Sequence, residues 1–302
     1  MIKTPPYLEK GDTIGMVCPA GAMPVEKVSE CIRVLNEEWG FTTRVGKTIG
    51  KEFNYFSGTD EERIEDFQQL LDDDEIKAIL CARGGYGMGR IIDRLDFKKF
   101  KKQPKWIIGF SDITVLHSHL YSNYYISSIH SPMADAFNRE GYKNEFVQSL
   151  RNALEGKKLK YQCPVHKFNR KGEGIGELVG GNLSLLAHLV GTESDIKTRG
   201  RILFLEDTGE YFYNIDRMMY QLKRSRKLSK LAGLIVGGFT GSKDTETPFG
   251  QSAYEIIREI VKDYDYPVCY GFPVSHEKEN YALKMGVGYK LKITKSKVVL
   301  EE

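Results

Sequence analysis

The stretch WIIGFSDITVLHSHL, residues 106–120, joins an apolar run to a helical pattern through a glycine, a serine and an aspartate. Its first five residues read as a buried strand, and the residues after Ser111 read as a helix. A strand turning directly into a helix is half of a βαβ unit, which implies a mostly parallel sheet. Ser111 stands at the joint and has two readings. As a helix cap it would accept a hydrogen bond from the Ile113 or Thr114 N–H. As a nucleophile it would present Oγ above the sheet with the Asp112 N–H beside it. The usual nucleophile spelling G-x-S-x-G is not met, because Ile113 replaces the second glycine.

The same alternation extends in both directions. Upstream, DTIGMVCPAG (12–21), FTTRVG (41–46) and IKAILCARGG (76–85) read as strands. Between them, Val25, Val28, Ile32, Leu35 and Trp39 share one helical face, with Pro24 at its first position and Gly40 past its end. Ile64, Phe67, Leu70 and Leu71 mark a second helix after the cap candidates Thr59 and Asp60. YYISSIHSP (124–132) reads as a fifth strand. The pattern weakens from about 140, and 151–175, a polar, glycine-containing stretch, reads as a linker with short strands at most. A second unit over 176–302 alternates the strands GRILFLED (200–207), LAGLIVGGF (231–239) and YPVCYGFPVSH (266–276) with two helices. It ends in hairpin material, YALKMGVGYKLKITKSKVVLEE (281–302). The expected organisation is an α/β domain over 1–150 and a second α/β domain with a β-rich part.

Composition removes several function classes. The chain has 302 residues, 41% hydrophobic and 28% charged, with a net charge of +3, too small to argue for nucleic acid. The basic runs KKFKK (98–102) and KRSRK (223–227) are short and read as solvated faces. Cysteines 18, 31, 81, 163 and 269 form no Cys-x-x-Cys pair, usage that suits a reducing compartment. The N-terminus has no apolar signal region, and no run of 18 apolar residues occurs, so the expectation is a cytoplasmic protein without a membrane span.

Ligands of such sheets bind beyond the carboxyl ends of the strands. Ala20-Gly21, Arg83-Gly84-Gly85 and Gly109-Phe110-Ser111 all fall there, and should share one rim. ARGGYGMGR (82–90) is a structural turn, an anion-binding backbone or a nucleotide loop. The nucleotide reading is weakest, since Arg90 stands where a dinucleotide fingerprint needs glycine and no Gly-Lys-Ser/Thr is present. A serine nucleophile needs a histidine base. His117 and His119 lie on the helix after Ser111, His188 is in an apolar helix and His166 is in the linker. His130 and His276 follow strands and are better placed, His276 best. Glu206 and Asp207 end GRILFLED and are strand-end polar residues or members of a site. Histidines and cysteines lack metal-ligand spacing, so neither metal nor cofactor is expected.

Taken together, the motifs resemble the LD-carboxypeptidase family of serine peptidases, the murein tetrapeptide carboxypeptidases and their microcin-immunity relatives. The resemblance is carried by GDTIGMVCPAG (11–21), FSGTDEERIEDFQQLLDDDEIKAILCARGGYGMGRIIDRLD (56–96), WIIGFSDITVLHSHL, LVGGNLSLL (178–186), ILFLEDTGE (202–210), IDRMMYQL (215–222) and GFPVSHEKENYALKMGV (271–287). It implies a class I glutamine-amidotransferase-like N-terminal domain and a triad of Ser111, Glu206 and His276 at the seam between domains. It also implies an oxyanion hole from the Gly85 and Asp112 N–H groups, a small muropeptide substrate and a homodimer. Arg83, Gly84 and His130 are candidate substrate contacts, Arg83 equally a structural ion-pair partner. The alternatives are a microcin-immunity hydrolase of peptidyl-nucleotide toxins and a non-catalytic muropeptide-binding protein. One departure is Ser131, where the family commonly has glycine after the histidine; its side chain is expected to narrow a pocket or reroute that loop.

Overall fold

A computed structural model describes residues 2–302. The chain divides into two units, 1–157 with 281–284, and 158–280 with 285–302. Among the described residues the strands form two sheets.

The first unit holds β1 (Thr13–Val17), β2 (Thr42–Val45), β3 (Ile76–Cys81), β4 (Trp106–Gly109) and β5 (Ser128–His130). All pair in parallel, and the sheet runs β11-β5-β4-β3-β1-β2, where β11 is Leu283–Met285. β1, β3 and β4 are near-continuous apolar runs, as strands covered on both faces must be. The first helix, Val25–Arg33, begins one residue later than expected, because Pro24 takes the extended capping conformation (ψ 145°). The second, Asp60–Asp72, opens with a capping box: Thr59 accepts from Glu62 N, and Glu62 accepts from Thr59 N. Phe67, Leu70 and Leu71 bury its inner face.

The second unit holds β6 (Lys160–Cys163), β7 (Gly172–Asn182), β8 (Ile202–Thr208), β9 (Gly233–Thr240), β10 (Val268–Tyr270), β12 (Gly288–Ile293) and β13 (Val298–Glu301). Their order is β10-β9-β8-β7-β12-β13-β6. β7 to β10 are parallel, and β7, β12, β13 and β6 are antiparallel, which is the expected β-rich part.

Two differences from the sequence reading are instructive. The stretch 151–175 is no linker. It contains the end of the helix Glu145–Leu154, the edge strand β6 and the start of β7. Tyr161 and Cys163 point inward while Lys160 and Gln162 face water, so a short amphipathic edge strand passes for a polar connection. The final 22 residues are also not all one hairpin. β11 joins the first unit's sheet, and only β12 and β13 pair with each other.

All five cysteines are free and buried. Among the described residues no helix is long and apolar enough to cross a membrane, and no group of three or more His, Cys, Asp or Glu side chains is placed to hold a metal ion.

Candidate active site

In the first unit β4 ends at Gly109 with φ 155°, Phe110 is extended, and Ser111 has φ 63°. A helix cap takes an extended backbone. A non-glycine residue held left-handed between a strand and a helix is strained, and such strain gathers at functional sites. Support comes from below. The buried His117 ring donates from Nε2 to Gly109 O (2.9 Å), so Nδ1 accepts from the Ser128 hydroxyl (2.8 Å). Burial pushes its pKa down to about 4, against the pull of the Gly109 carbonyl, and the ring is neutral at ordinary pH.

The glycine loop lies directly against this joint. A Cβ on Gly84 would stand 3.0 Å from the Ser111 Cβ and 3.3 Å from the Asp112 N. Gly21 N donates to Gly84 O (3.0 Å). The loops after β1, β3 and β4 therefore share the expected rim. Two buried charges brace it. The Asp112 carboxylate accepts from Met88 N (2.7 Å), so the residue whose backbone flanks Ser111 also fastens the loop carrying Gly84 and Gly85. Arg63, 0% exposed, donates through Nη1 to Pro19 O (2.6 Å) and Gly87 O (3.1 Å), and through Nη2 to Asp60. Sequence reading missed Arg63, because an arginine in an amphipathic helix ordinarily faces water.

His130 does not open onto the rim. It ends β5 fully buried, with its ring 5.7 Å from that of Phe110. It pairs with Gly109 across the sheet. The Ser131 hydroxyl, also buried, turns back onto Pro132 O (2.8 Å), and Ser131 N donates to Gly109 O (3.2 Å). The extra side chain is thus absorbed within its own turn.

In the second unit β8 delivers Glu206, 0% exposed, and its Oε2 lies 2.6 Å from Nδ1 of His276. Two glycines let the histidine loop come this close. Gly238 N donates to Val274 O (2.8 Å), and a Cβ on Gly238 would fall 2.5 Å from the Ser275 Cβ. A Cβ on Gly237 would overlap Val274 O. Ser275 Oγ then fixes the turn, donating to Glu279 O and accepting from Glu277 N (both 3.0 Å). Burial alone would lower the His276 pKa. The hydrogen bond and charge of Glu206, with Asp207 behind, outweigh it and hold the pKa above its ordinary 6.5.

Asp207 is pushed up to about 6 by burial and the adjacent Glu206, against hydrogen bonds from Thr208 N, Asn182 Nδ2 and Ser184 N. It locks the corner where β7 enters the helix Leu183–His188, which Asn182 caps. Of the other histidines, His188 is exposed and His166 packs among Phe168, Tyr254 and Tyr270.

One unit thus carries a strained serine beside a glycine loop, and the other a carboxylate–imidazole pair. Residues 14–131 match the LD-carboxypeptidase N-terminal domain, and residues 175–291 match the LD-carboxypeptidase C-terminal domain. The chain belongs to the LD-carboxypeptidase family of serine peptidases. It is 34% identical to a probable murein peptide carboxypeptidase of Bacillus subtilis, over 98% of this chain and 94% of that protein. It is 30% identical to the murein tetrapeptide carboxypeptidase of Pseudomonas aeruginosa, over 90% and 91%. The crystal structure of muramoyltetrapeptide carboxypeptidase from Oxalobacter formigenes superposes with a TM-score of 0.87 at 28% identity, covering 96% of this chain and 98% of that one. The fold, an α/β unit followed by a second with an antiparallel extension, is the one this family uses.

Proposed function

We propose that this chain is a serine carboxypeptidase that hydrolyses an L,D peptide bond and releases terminal D-alanine from muropeptide tetrapeptides during cell-wall recycling. The observation that carries the reading is the 2.6 Å contact of a fully buried Glu206 with His276 Nδ1. That contact holds Nδ1–H and leaves Nε2 as a base. The names of the relatives supply the substrate class.

In this mechanism Nε2 of His276 takes the Ser111 proton as Oγ attacks the scissile carbonyl. Glu206 stabilises the imidazolium. The Gly85 and Asp112 N–H groups receive the oxyanion, and one such donor is typically worth roughly 100- to 1000-fold in rate. Collapse expels the D-alanine amine, which takes the proton from Nε2. Water, activated by the same nitrogen, then clears the acyl-enzyme. The reading requires Ser111 and His276, carried by different units, to meet in the working enzyme. A cytoplasmic location, which suits the unpaired cysteine usage, and a homodimer, on the strength of the family resemblance, belong to it as well; light scattering on the purified protein checks the dimer.

The test uses L-Ala-γ-D-Glu-meso-diaminopimelate-D-Ala and mass spectrometry for released alanine. Wild type releases it in the presence of EDTA, and Ser111→Ala lowers kcat by roughly 10,000-fold or more with little change in KM. Release that survives Ser111→Ala overturns the triad. Ligand-induced thermal stabilisation without turnover indicates a binding protein instead. Cleavage of an acyl-sulfamoyl adenylate with none of the muropeptide indicates the immunity-type hydrolase.

A further inference from the structure

A peptidase that removes one residue must recognise the carboxylate next to the bond it cuts. One residue spans about 3.8 Å between Cα atoms, so the anchor has to lie close to the oxyanion donors. The rim of the first unit offers such a place on the far side of Gly85 from Ser111's strand.

The segment 53–57 is zipped onto this rim. Phe53 and Phe56 exchange backbone hydrogen bonds (2.8 and 3.0 Å) around Asn54, whose φ is 54°. Phe56 bridges Gly21, Ala22 N donates to Tyr55 O (3.4 Å), and Ser57 N donates to Ala20 O (3.1 Å). The Tyr55 backbone is therefore fixed while its side chain is 55% exposed. A Cβ built on Gly85 would stand 3.4 Å from the Tyr55 hydroxyl and 3.5 Å from the Gly21 Cα. A Cβ on Gly21 would stand 3.4 Å from Arg83 Nε. The phenol, the two glycines and the guanidinium are thus successive neighbours.

Arg83 is exposed and donates from Nη1 to Ala22 O. Among the described residues no carboxylate pairs with it, so the ion-pair reading of Arg83 has no support. Nη1 is the edge spent on the protein; Nε–H and Nη2–H remain as two parallel donors, the geometry that grips a carboxylate in a bidentate fashion. Asp60, an acidic residue at this rim, is already engaged by Arg63 and Arg90.

We propose that Arg83 and Tyr55 hold the terminal carboxylate of the substrate, and that this pair restricts the enzyme to peptides with a free C-terminus. The inference rests on the peptidase reading above. Neither Tyr55 nor Arg83 touches the reacting atoms; both act by anchoring the leaving residue.

The test compares kcat/KM for the tetrapeptide and for its C-terminal amide, with Tm measured in parallel. Wild type is expected to prefer the acid by about 100-fold, the scale of a charged hydrogen-bond pair. Arg83→Gln removes most of that preference and Tyr55→Phe reduces it by about 10-fold, both mainly by raising KM for the acid. Arg83→Lys restores part of it. Equal cleavage of acid and amide by wild type overturns the inference without need of any variant, as does an equal loss on both substrates in Tyr55→Phe. If wild type cuts neither peptide, the peptidase reading itself has failed.

Discussion

The joint at Ser111 and the pair Glu206–His276 are built by opposite means. At Ser111 the backbone gives the joint its shape: a left-handed serine, a glycine loop pressed against it, and buried side chains that grip main-chain groups. At Glu206 the defining feature is a charge. A carboxylate removed from water holds an imidazole, and its field sets the pKa. Changes at the first place should act through shape and be indifferent to pH. Changes at the second should move the pH profile.

The sharpest way to break that contrast is Glu206→Gln. We expect kcat to fall by roughly 10,000-fold, as when a triad carboxylate loses its charge. The imidazole must be neutral to act as a base, so wild-type kcat/KM rises with pH through a pKa above 6.5. Without Glu206, burial dominates and that limb of the residual activity moves to lower pH. The sign for stability is the reverse side of the same linkage. A folded-state pKa raised above the unfolded value stabilises below about 6.5, and the benefit fades as pH rises through the folded value. A residual profile that does not move would sink the electrostatic account.

Gly84→Ala probes the other region. Its Cβ would press on Ser111 and on the Asp112 N. Displacing one oxyanion donor predicts a loss of about 100-fold in kcat, with KM and the acid limb of the pH profile unchanged, read from steady-state kinetics across pH. A shifted acid limb would mean that the two regions are not separable in this way.

The smallest effect is expected from Ser252→Ala. Ser252 and Glu255 form a capping box at the helix Ala253–Ile260 in the charge-bearing unit. Its loss should lower stability by about 1 kcal/mol in denaturant melts and leave kcat/KM as it was. A fall in activity there would tie His276 to the general stability of its unit.

Both regions differ in how much of them a sequence displays. β1, β3, β4, β8 and β9 were legible because buried parallel strands read as unbroken apolar runs, and the rim followed from where those runs end. Ser111 was ambiguous from the residues alone, since φ is not written in the spelling. Glu206 and His276 are 70 positions apart, and only the order of motifs linked them. What escaped reading altogether was the support. Arg63 and Asp112 look like surface charges until the loop folds over them. The pair Gly237-Gly238 looks like a strand end until the 272–276 turn is laid across it. β11 is three residues long, and no local pattern announces that its partners lie some 150 positions earlier.

That short strand has a consequence for biosynthesis. The first sheet is still missing one edge when the ribosome has finished residue 157, and β5 stays uncovered until residues 281–284 emerge. Neither unit is a contiguous stretch of polypeptide, so neither can be excised cleanly at the boundary after residue 157. A nonsense codon that spares Ser111, Glu206 and His276 but falls before Leu283 would still leave the sheet that carries Ser111 unfinished.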